Sequence, residues 1–287
     1  MRTEPVRYKT LRGLVRGLDV LHALNQRPMG SWGIVDLASH VGLHHTTLKR
    51  ILETLRSLGY VAIDPRTSRY QLTASVHALC AGFRDDDNLV LTAQETLPEI
   101  AKRLVWPLFL STPDGDAMLV RTETHHFSPL AFHRTTLGYR FSLPDTATGR
   151  AYLAACNPIQ RHELLRVACS VVPNELRSIE DMERHVFSHF VEGFGCNDDG
   201  WGPFRDFSAI SVPIFLHKRV AGCLTVGFPT RVIHTALAIT EFGETLRAGA
   251  EVIANKAAHR ISGSTRAFDS SVRLMRTRES RHPETRT

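Results

Sequence analysis

Apolar positions recur at helical spacing through the first sixty residues. Leu11, Leu14, Leu18 and Leu21 stand three or four apart, with Arg12, Arg16 and Asp19 among them. This predicts an amphipathic helix with one buried face. Pro28 and Gly30 break it. Ile34, Leu37, Ala38 and Val41 mark a second, short helix. Gly42-Leu43 then predicts a tight turn, where glycine accepts a positive φ. A third, longer helix starts near His44, with Leu48, Ile51, Leu52, Leu55 and Leu58 along one face. At about 100° per residue, Thr46, Arg50 and Glu53 lie opposite, flanked by Thr47 and Lys49. Gly59 is its stop. Tyr60–Ile63 and Arg69–Leu72 then flank the turn Asp64-Pro65-Arg66-Thr67-Ser68, which predicts a β-hairpin with basic residues at its tip.

Farther on the periodicity is mixed. Thr73–Phe83 suits a helix, Arg84-Asp85-Asp86-Asp87-Asn88 is a charged break, and Leu89–Leu104 suits a second helix. Together they predict a stiff linker. From Val105 strands dominate: Trp106–Ser111 and Ala117–Arg121 around the turn at Pro113–Asp116, then Leu130–Arg134. Pro144–Arg150 opens a helix carrying Ala151, Leu153, Ala154 and Ala155, and residues 159–193 read as mainly helical. Phe207–Phe215 and Val220–Phe228 form a strand pair, and 240–260 a final helix. Helices flanking an antiparallel sheet make an α+β domain.

Charge sharpens this division. The chain of 287 residues carries a net +6. Residues 1–80 hold 11 basic and 5 acidic side chains, 81–259 hold 17 and 21, and 260–287 hold 7 and 3. A basic N-terminal unit joined to a mildly acidic body points to nucleic acid at one end and a separate task for the rest. No apolar run approaches a membrane span of about 18 residues, and Met1–Tyr8 lacks the apolar core of a signal peptide. Five scattered cysteines, Cys80, Cys156, Cys169, Cys196 and Cys223, form no Cys-x-x-Cys pair and read as reduced thiols of a cytoplasmic protein.

Helix, short helix, tight turn, helix and basic hairpin is the order of a winged helix-turn-helix. The third helix of such a unit enters the major groove, with its N-terminal residues at base edges. His44, His45, Thr46, Thr47, Lys49 and Arg50 are the candidates there. Arg66 and Arg69 on the wing are candidates for phosphates or the minor groove. The expected partner is a double-stranded DNA operator.

Thr10–Leu21, Leu37-Ala38 to Gly42-Leu43, Thr46–Leu55, Gly59-Tyr60-Val61 and Tyr70–Thr73 together resemble the DNA-binding domain of IclR-family transcriptional regulators. The likeness continues to about residue 260. Asp145-Thr146-Ala147-Thr148-Gly149-Arg150-Ala151 stands where that family has a Thr-Ala-x-Gly-Lys-Ala segment. The resemblance implies a flexible arm over 1–9, a winged helix-turn-helix over 10–75, a helical linker over 76–104 and a GAF-like effector domain over 105–261. It also implies a homodimer or homotetramer, contact with RNA polymerase and activation of an aromatic-acid catabolic operon. Residues 262–287, rich in Arg, Ser and Thr, are expected to be disordered.

An effector of the aromatic-acid type needs an apolar slot and a carboxylate partner. The helix opening at Thr146, Ala147, Thr148 and Gly149 offers backbone N–H groups to an anion, and Gly149 permits close approach. His133, Arg134 and Arg140 are candidate donors. Ala209, Ser211, Cys223 and Thr225 alternate along their strands, so each pair faces one side of the sheet. Ala209 stands where many family members have cysteine, and Thr225-Val226-Gly227 replaces a Ser-x-Ser pattern. Both changes suit a less polar effector.

Other signals are weaker. His185 and His189 are four apart on an expected helix but have no Glu base between them and no third ligand. His125-His126 is a similarly weak metal signal. Gly193-x-Gly195 is not a dinucleotide fingerprint, and there is no Gly-x-Ser-x-Gly elbow. No cofactor, metal or catalytic residue is therefore expected. An enzyme with an accessory winged-helix interaction module is the competing reading.

Overall fold

The computed structural model describes residues 10–26, 30–83, 85–130, 136–171, 178–198, 200 and 206–279. The N-terminal unit runs α1 (Arg12–Gln26), β1 (Ser31–Trp32), α2 (Ile34–Val41), α3 (His45–Ser57), β2 (Val61–Ile63) and β3 (Tyr70–Leu72). The strands form a small antiparallel sheet in the order β1-β3-β2. Gly42 closes α2 at φ 63°, and its N–H reaches Ala38 O. This is the left-handed cap the Gly-Leu turn requires. Trp32 donates from Nε1 to Ala23 O at 2.9 Å, which ties β1 to α1.

The core of this unit is Val20, Ala23, Leu24, Leu37, Leu48, Leu52, Leu55, Val61 and Tyr70. It corrects the reading of α1. Leu11, Leu14 and Leu18 are 72%, 61% and 45% exposed, and Val15 lies with them in solvent. The helix is apolar on two sides. Counted at about 100° per residue, the centre of Val20, Ala23 and Leu24 lies roughly opposite that of Leu11, Leu14, Val15 and Leu18. The packed side is the one that meets α2 and α3.

A 3-10 helix (Ala74–Leu79) leads towards α4 (Asn88–Leu104), capped by Asp87 Oδ1 on Leu89 N at 2.9 Å. The expected helical linker is present, but α4 is also part of the sheet domain. Leu89, Val90, Ala93, Leu97, Ile100, Ala101 and Leu104 are buried in its core. The apolar stripe that suggested a stiff rod is the stripe that packs.

The body continues with β4 (Leu108–Asp114), β5 (Ala117–Glu123), a 3-10 turn (His125–Phe127) and β6 (Arg140–Ser142). Then come α5 (Ala147–Ala155), α6 (Pro158–Val171), α7 (Ile179–Ser188), β7 (Phe190–Val191) and β8 (Phe194–Asn197). The chain ends in β9 (Phe207–Leu216), β10 (Arg219–Pro229) and α8 (Thr235–Glu279). The seven strands pair antiparallel in the order β6-β5-β4-β10-β9-β8-β7. Strand alternation divides two cores. Leu108, Leu110, Ile210, Val212, Leu224 and Val226 face α4 and α8. Phe109, Met118, Val120 and Cys223 face α5, α6 and α7.

Two expectations fall differently. The strand expected over Leu130–Arg134 lies, past Leu130, outside the described residues. The last helix does not end near 260 but is continuous to Glu279, so 262–279 is helical rather than disordered. Past Gly263 no Gly or Pro interrupts that stretch, so the loss of its apolar stripe does not by itself end the helix.

Candidate DNA interface and ligand pocket

The first turn of α3 presents its polar side to solvent. His45, Thr46, Lys49 and Arg50 are exposed, and Thr47 is half-buried. His44 is exposed too, but it works as the helix cap. Its Nδ1 accepts from Thr46 N at 3.4 Å and lies 2.9 Å from Thr46 Oγ1. On the wing, Asp64 organises the turn by accepting from Arg66 N at 2.8 Å and Thr67 Oγ1 at 2.9 Å. The bond from Arg66 N, then that from Thr67, holds the Asp64 carboxyl below its usual range. Arg66 is exposed at the tip. Arg69 is half-buried and donates from Nη2 to Ser31 O at 3.3 Å, so part of its role is to join β3 to β1.

In the body, a pocket opens between the sheet and the start of α5, with about 70 Å³ enclosed. Phe109, Phe141 and Phe207 supply aromatic walls, with Pro107, Ala147, Ala209 and Gly227. Phe109 and Phe141 stack with centroids 5.5 Å apart. Polar groups come from His125, Thr136, Thr146, Thr148, Asn197, Ser208 and Thr225. Space for several non-hydrogen atoms, mostly apolar with a few placed polar groups, suits a small organic molecule.

Thr146 caps α5. Its Oγ1 donates to Ser142 O at 2.6 Å and accepts from Gly149 N at 3.3 Å. Arg150 N goes to Thr146 O. The Ala147 and Thr148 N–H groups therefore remain at the first turn, without helical partners, in residues that line the pocket. Below them lies a set of buried hydroxyls: Ser111 Oγ is 2.5 Å from Thr148 Oγ1, and Ser211 Oγ is 2.8 Å from Thr225 Oγ1.

Of the candidate effector residues, Thr146, Ala147, Thr148, Ala209 and Thr225 line the pocket. Ser211 and Cys223 share its sheet face but sit behind the lining, since Thr225 pairs with Ser211 and Cys223 is fully buried. Gly149 has another function. A Cβ there would stand 2.2 Å from Leu143 O and 2.5 Å from Ser142 O, so the close approach is to its own chain. Arg140 is engaged by Asp114 and by Asp116 Oδ1 at 2.7 Å, away from the lining. His133 and Arg134 lie outside the described residues.

Phe109, Phe141, Phe207, His125, Thr136 and Asn197 are pocket residues that sequence reasoning missed. Phe109 was within reach: it pairs with Thr225 across β4 and β10, so strand alternation places it on the same face. His125, Thr136 and Asn197 arrive through turns and short strands that carry no periodic signal. His125 Nδ1 lies 2.7 Å from Glu123 Oε2, and Glu123 also accepts from Thr136 N at 2.5 Å and Oγ1 at 2.7 Å.

Among the described residues no group of three His, Cys, Asp or Glu is placed to hold a metal ion. His185 Nε2 instead meets Arg150 Nη2 at 2.8 Å. Burial pushes the Cys156 and Cys196 thiols up to about 11, and raises Cys223 further. No helix of the described residues is long and apolar enough to cross a membrane.

The described residues thus combine a winged helix-turn-helix, joined through a helix, with a sheet domain that holds a pocket of small-molecule size. Residues 13–65 match the IclR helix-turn-helix domain. The chain is 25% identical over 205 residues to the HTH-type transcriptional regulator KdgR of Dickeya chrysanthemi, covering 69% of this chain and 65% of that protein. The alignment thus spans just under two thirds of that relative. An IclR family transcriptional regulator from Brucella abortus has the same fold, with a TM-score of 0.56 and 21% identity over 86% of this chain and 93% of that one. So does an IclR homologue of Microbacterium hydrocarbonoxydans solved with 4-hydroxybenzoate, at a TM-score of 0.53 and 18% identity over 85% and 98%. Residues 13–65 thus match the IclR helix-turn-helix domain, and the chain as a whole is similar to transcriptional regulators that carry it.

Proposed function

We propose that this chain binds a DNA operator through α3 and the wing, and that a small carboxylic acid with an aromatic body, seated in the sheet-domain pocket, controls that binding. The observation that carries the ligand half is the joining of three phenylalanine walls to the first turn of α5 in one pocket. The rings take the apolar body, and the Ala147 and Thr148 N–H groups take the carboxylate. Binding of 4-hydroxybenzoate by the Microbacterium hydrocarbonoxydans homologue supports the same ligand class.

The DNA half rests on the exposed His45, Thr46, Lys49 and Arg50 at the start of α3, with Thr47 beside them and Arg66 and Arg69 on the wing. His44 supports the helix that presents them. His133 and Arg134 remain proposed ligand partners. The regulated genes would be an aromatic-acid catabolic operon, activated with RNA polymerase as a partner in the cytoplasm. Likeness at Val105-Trp106-Pro107, Asp116-Ala117-Met118 and Val220–Leu224 to the activator of 3-(3-hydroxyphenyl)propionate catabolism supports that choice.

The apolar stripe Leu11, Leu14, Val15 and Leu18 supports a homodimer through α1, which would present two copies of α3 to a two-fold operator. The test is a gel shift with the DNA upstream of neighbouring genes at two salt concentrations, with a thermal-shift panel of benzoates, phenylpropionates and keto acids. A specific, salt-sensitive shift altered by an aromatic acid is expected. No specific shift with or without any acid overturns the reading.

A further inference from the structure

The segment that leaves the wing is pinned to the strands that wall the pocket. Asp85 stands between the 3-10 helix after β3 and the first residue of α4. Its carboxylate accepts two hydrogen bonds from Arg121 Nη2, at 2.9 and 2.8 Å. The side chains are only 24% and 12% exposed for Arg121 and Asp85. Solvent screens this pair far less than Lys102–Glu99 on the surface of α4, where both side chains are 71% exposed. Arg121 Nη1 also donates to Thr112 Oγ1 on β4 at 3.1 Å. Asp85 Oδ1 accepts from Asp87 N at 3.2 Å, and Asp87 is the cap of α4. One guanidinium therefore positions β4, the inter-domain segment and, through Asp85, the start of α4.

Arg121 occupies an irregular place in its strand. Leu110 pairs with Thr122 and Ser111 with Val120, which leaves Arg121 as the extra residue of a bulge. The extra residue of a bulge is left unpaired in the ladder, and the bulge re-aims its side chain. On one side of the bulge the same two strands reach the pocket. Phe109 lines the pocket and pairs with Glu123, which holds Thr136 and stands against His125.

We infer that the Arg121–Asp85 pair is the mechanical coupling between the ligand pocket and the DNA-binding domain. The inference rests on the pocket being the ligand site. A ligand seated against Phe109, His125 and Thr136 displaces the end of β5. The bulge passes the displacement to Arg121, and the two charge-assisted bonds pass it to Asp85 and the segment leading to the wing. Since coupling between two binding equilibria is reciprocal, DNA binding alters ligand affinity through the same contact.

The test uses the full chain with benzoate as ligand probe and a duplex from upstream of its own gene as DNA probe. Asp85→Asn removes the charge of the pair at nearly constant size, and Arg121→Gln removes it from the other side while keeping a polar side chain. Lys102→Gln removes an exposed pair on the neighbouring helix as a control. In the unaltered protein, saturating benzoate is expected to change duplex affinity by about fivefold or more. In both pair variants, benzoate and duplex should each bind within about threefold of the original, while the effect of one on the other falls below about twofold. The control should keep the full effect. Amide exchange, read without ligand, should speed up across 85–91 in the pair variants and not in the control. Undiminished coupling in both pair variants, or unchanged exchange at 85–91, overturns the inference alone. So does benzoate binding to the unaltered protein without any effect on the duplex. Absence of benzoate binding to the unaltered protein overturns the pocket reading, and the coupling with it.

Discussion

Arg150 Nη2 and His185 Nε2 lie 2.8 Å apart, joining α5 to α7. The same guanidinium donates from Nε to Pro144 O at 2.9 Å and from Nη1 to Cys196 O at 2.6 Å, and the residue is 4% exposed. It fixes the helix whose first turn forms the polar end of the pocket, and it occupies the histidine that spacing had offered as a metal ligand.

Arg150→Ala is therefore expected to destabilise the sheet domain by more than about 2 kcal/mol. The Pro144 and Cys196 carbonyls lose their donor, and each unsatisfied buried group costs about 1–3 kcal/mol. Arg150→Lys should recover only part, since an ammonium cannot span three diverging acceptors. Urea unfolding followed by circular dichroism measures both. A loss below about 0.5 kcal/mol for Arg150→Ala would show that the network is dispensable.

Gly149 and Gly195 should both refuse alanine. A Cβ at Gly149 would lie 2.2 Å from Leu143 O, and one at Gly195 2.2 Å from Ala147 O and 2.5 Å from Ala151 N. These obstacles are backbone atoms, so the cost should reach or exceed the upper end of the roughly 1–3 kcal/mol usual for overpacking. Gly227→Ala is the comparison, with nothing within 4 Å of its Cβ position. Similar urea midpoints for all three variants would contradict both the approach of Gly149 to Leu143 and the close α5–β8 packing at Gly195.

How much of this was legible depended on whether a residue's task was local. The order of α1, α2, α3 and the wing follows from period and turn glycines, because each of those choices is local. Thr146 as the start of α5 and the strand pair β9–β10 followed likewise. The face of α1 did not: Leu14 and Leu24 are equally apolar, and only the positions of α2 and α3 decide which is covered. The sequence marks Gly149 as a close-approach residue, but what approaches it is Leu143 and Ser142 of its own chain, and spacing along the chain does not show what comes near a residue in space. The pocket residues His125, Thr136 and Asn197 lie on non-repeating segments, where one sequence carries no pattern to read. Arg121 and Asp85, 36 positions apart, meet only in the folded sheet.

Thiol reactivity should follow burial. Cys80 is exposed and Cys169 partly so, while Cys156, Cys196 and Cys223 are buried. At pH 8 one thiol should react quickly with a disulfide reagent in the native protein, Cys169 more slowly, and the other three only on unfolding. The raised thiols also set an alkaline limit. Cys156 and Cys196 move from 9.0 unfolded to about 11 folded, chiefly through burial. The folded state holds these protons more tightly, so their contribution is complete below pH 9 and is lost as pH rises towards 11. Unfolding midpoints measured from pH 8 to 11 should fall. Flat midpoints over that range, or fast reaction of all five thiols, would contradict the burial.

Ala209→Leu should fill the pocket from its sheet floor. Ala209 lines it, opposite Gly227 in the strand pair, and a larger side chain there takes the space of a ligand ring. Aromatic acids should lose at least about tenfold in affinity, equivalent to about 1.4 kcal/mol. Duplex binding without ligand should stay within about twofold. Calorimetry and gel shift on the same preparation separate the effects. Unchanged acid affinity would place the ligand elsewhere.

The stripe on α1 gives the last prediction. Leu14 and Leu18 are one turn apart, 61% and 45% exposed, and lie on the side of α1 away from its packed core. If a second copy covers them, Leu14→Glu with Leu18→Glu buries two charges in an apolar contact, an arrangement that dissociates helix pairs. The monomer should remain folded, because Val20, Ala23 and Leu24 carry the packing within the unit. Sedimentation should then show a smaller species with unchanged helix content. Operator affinity should fall by far more than for Arg66→Ala, which is expected to remove one phosphate contact and reduce the salt slope by about 1. A double glutamate variant that keeps both its sedimentation coefficient and its operator affinity would leave the stripe without a role in dimerisation.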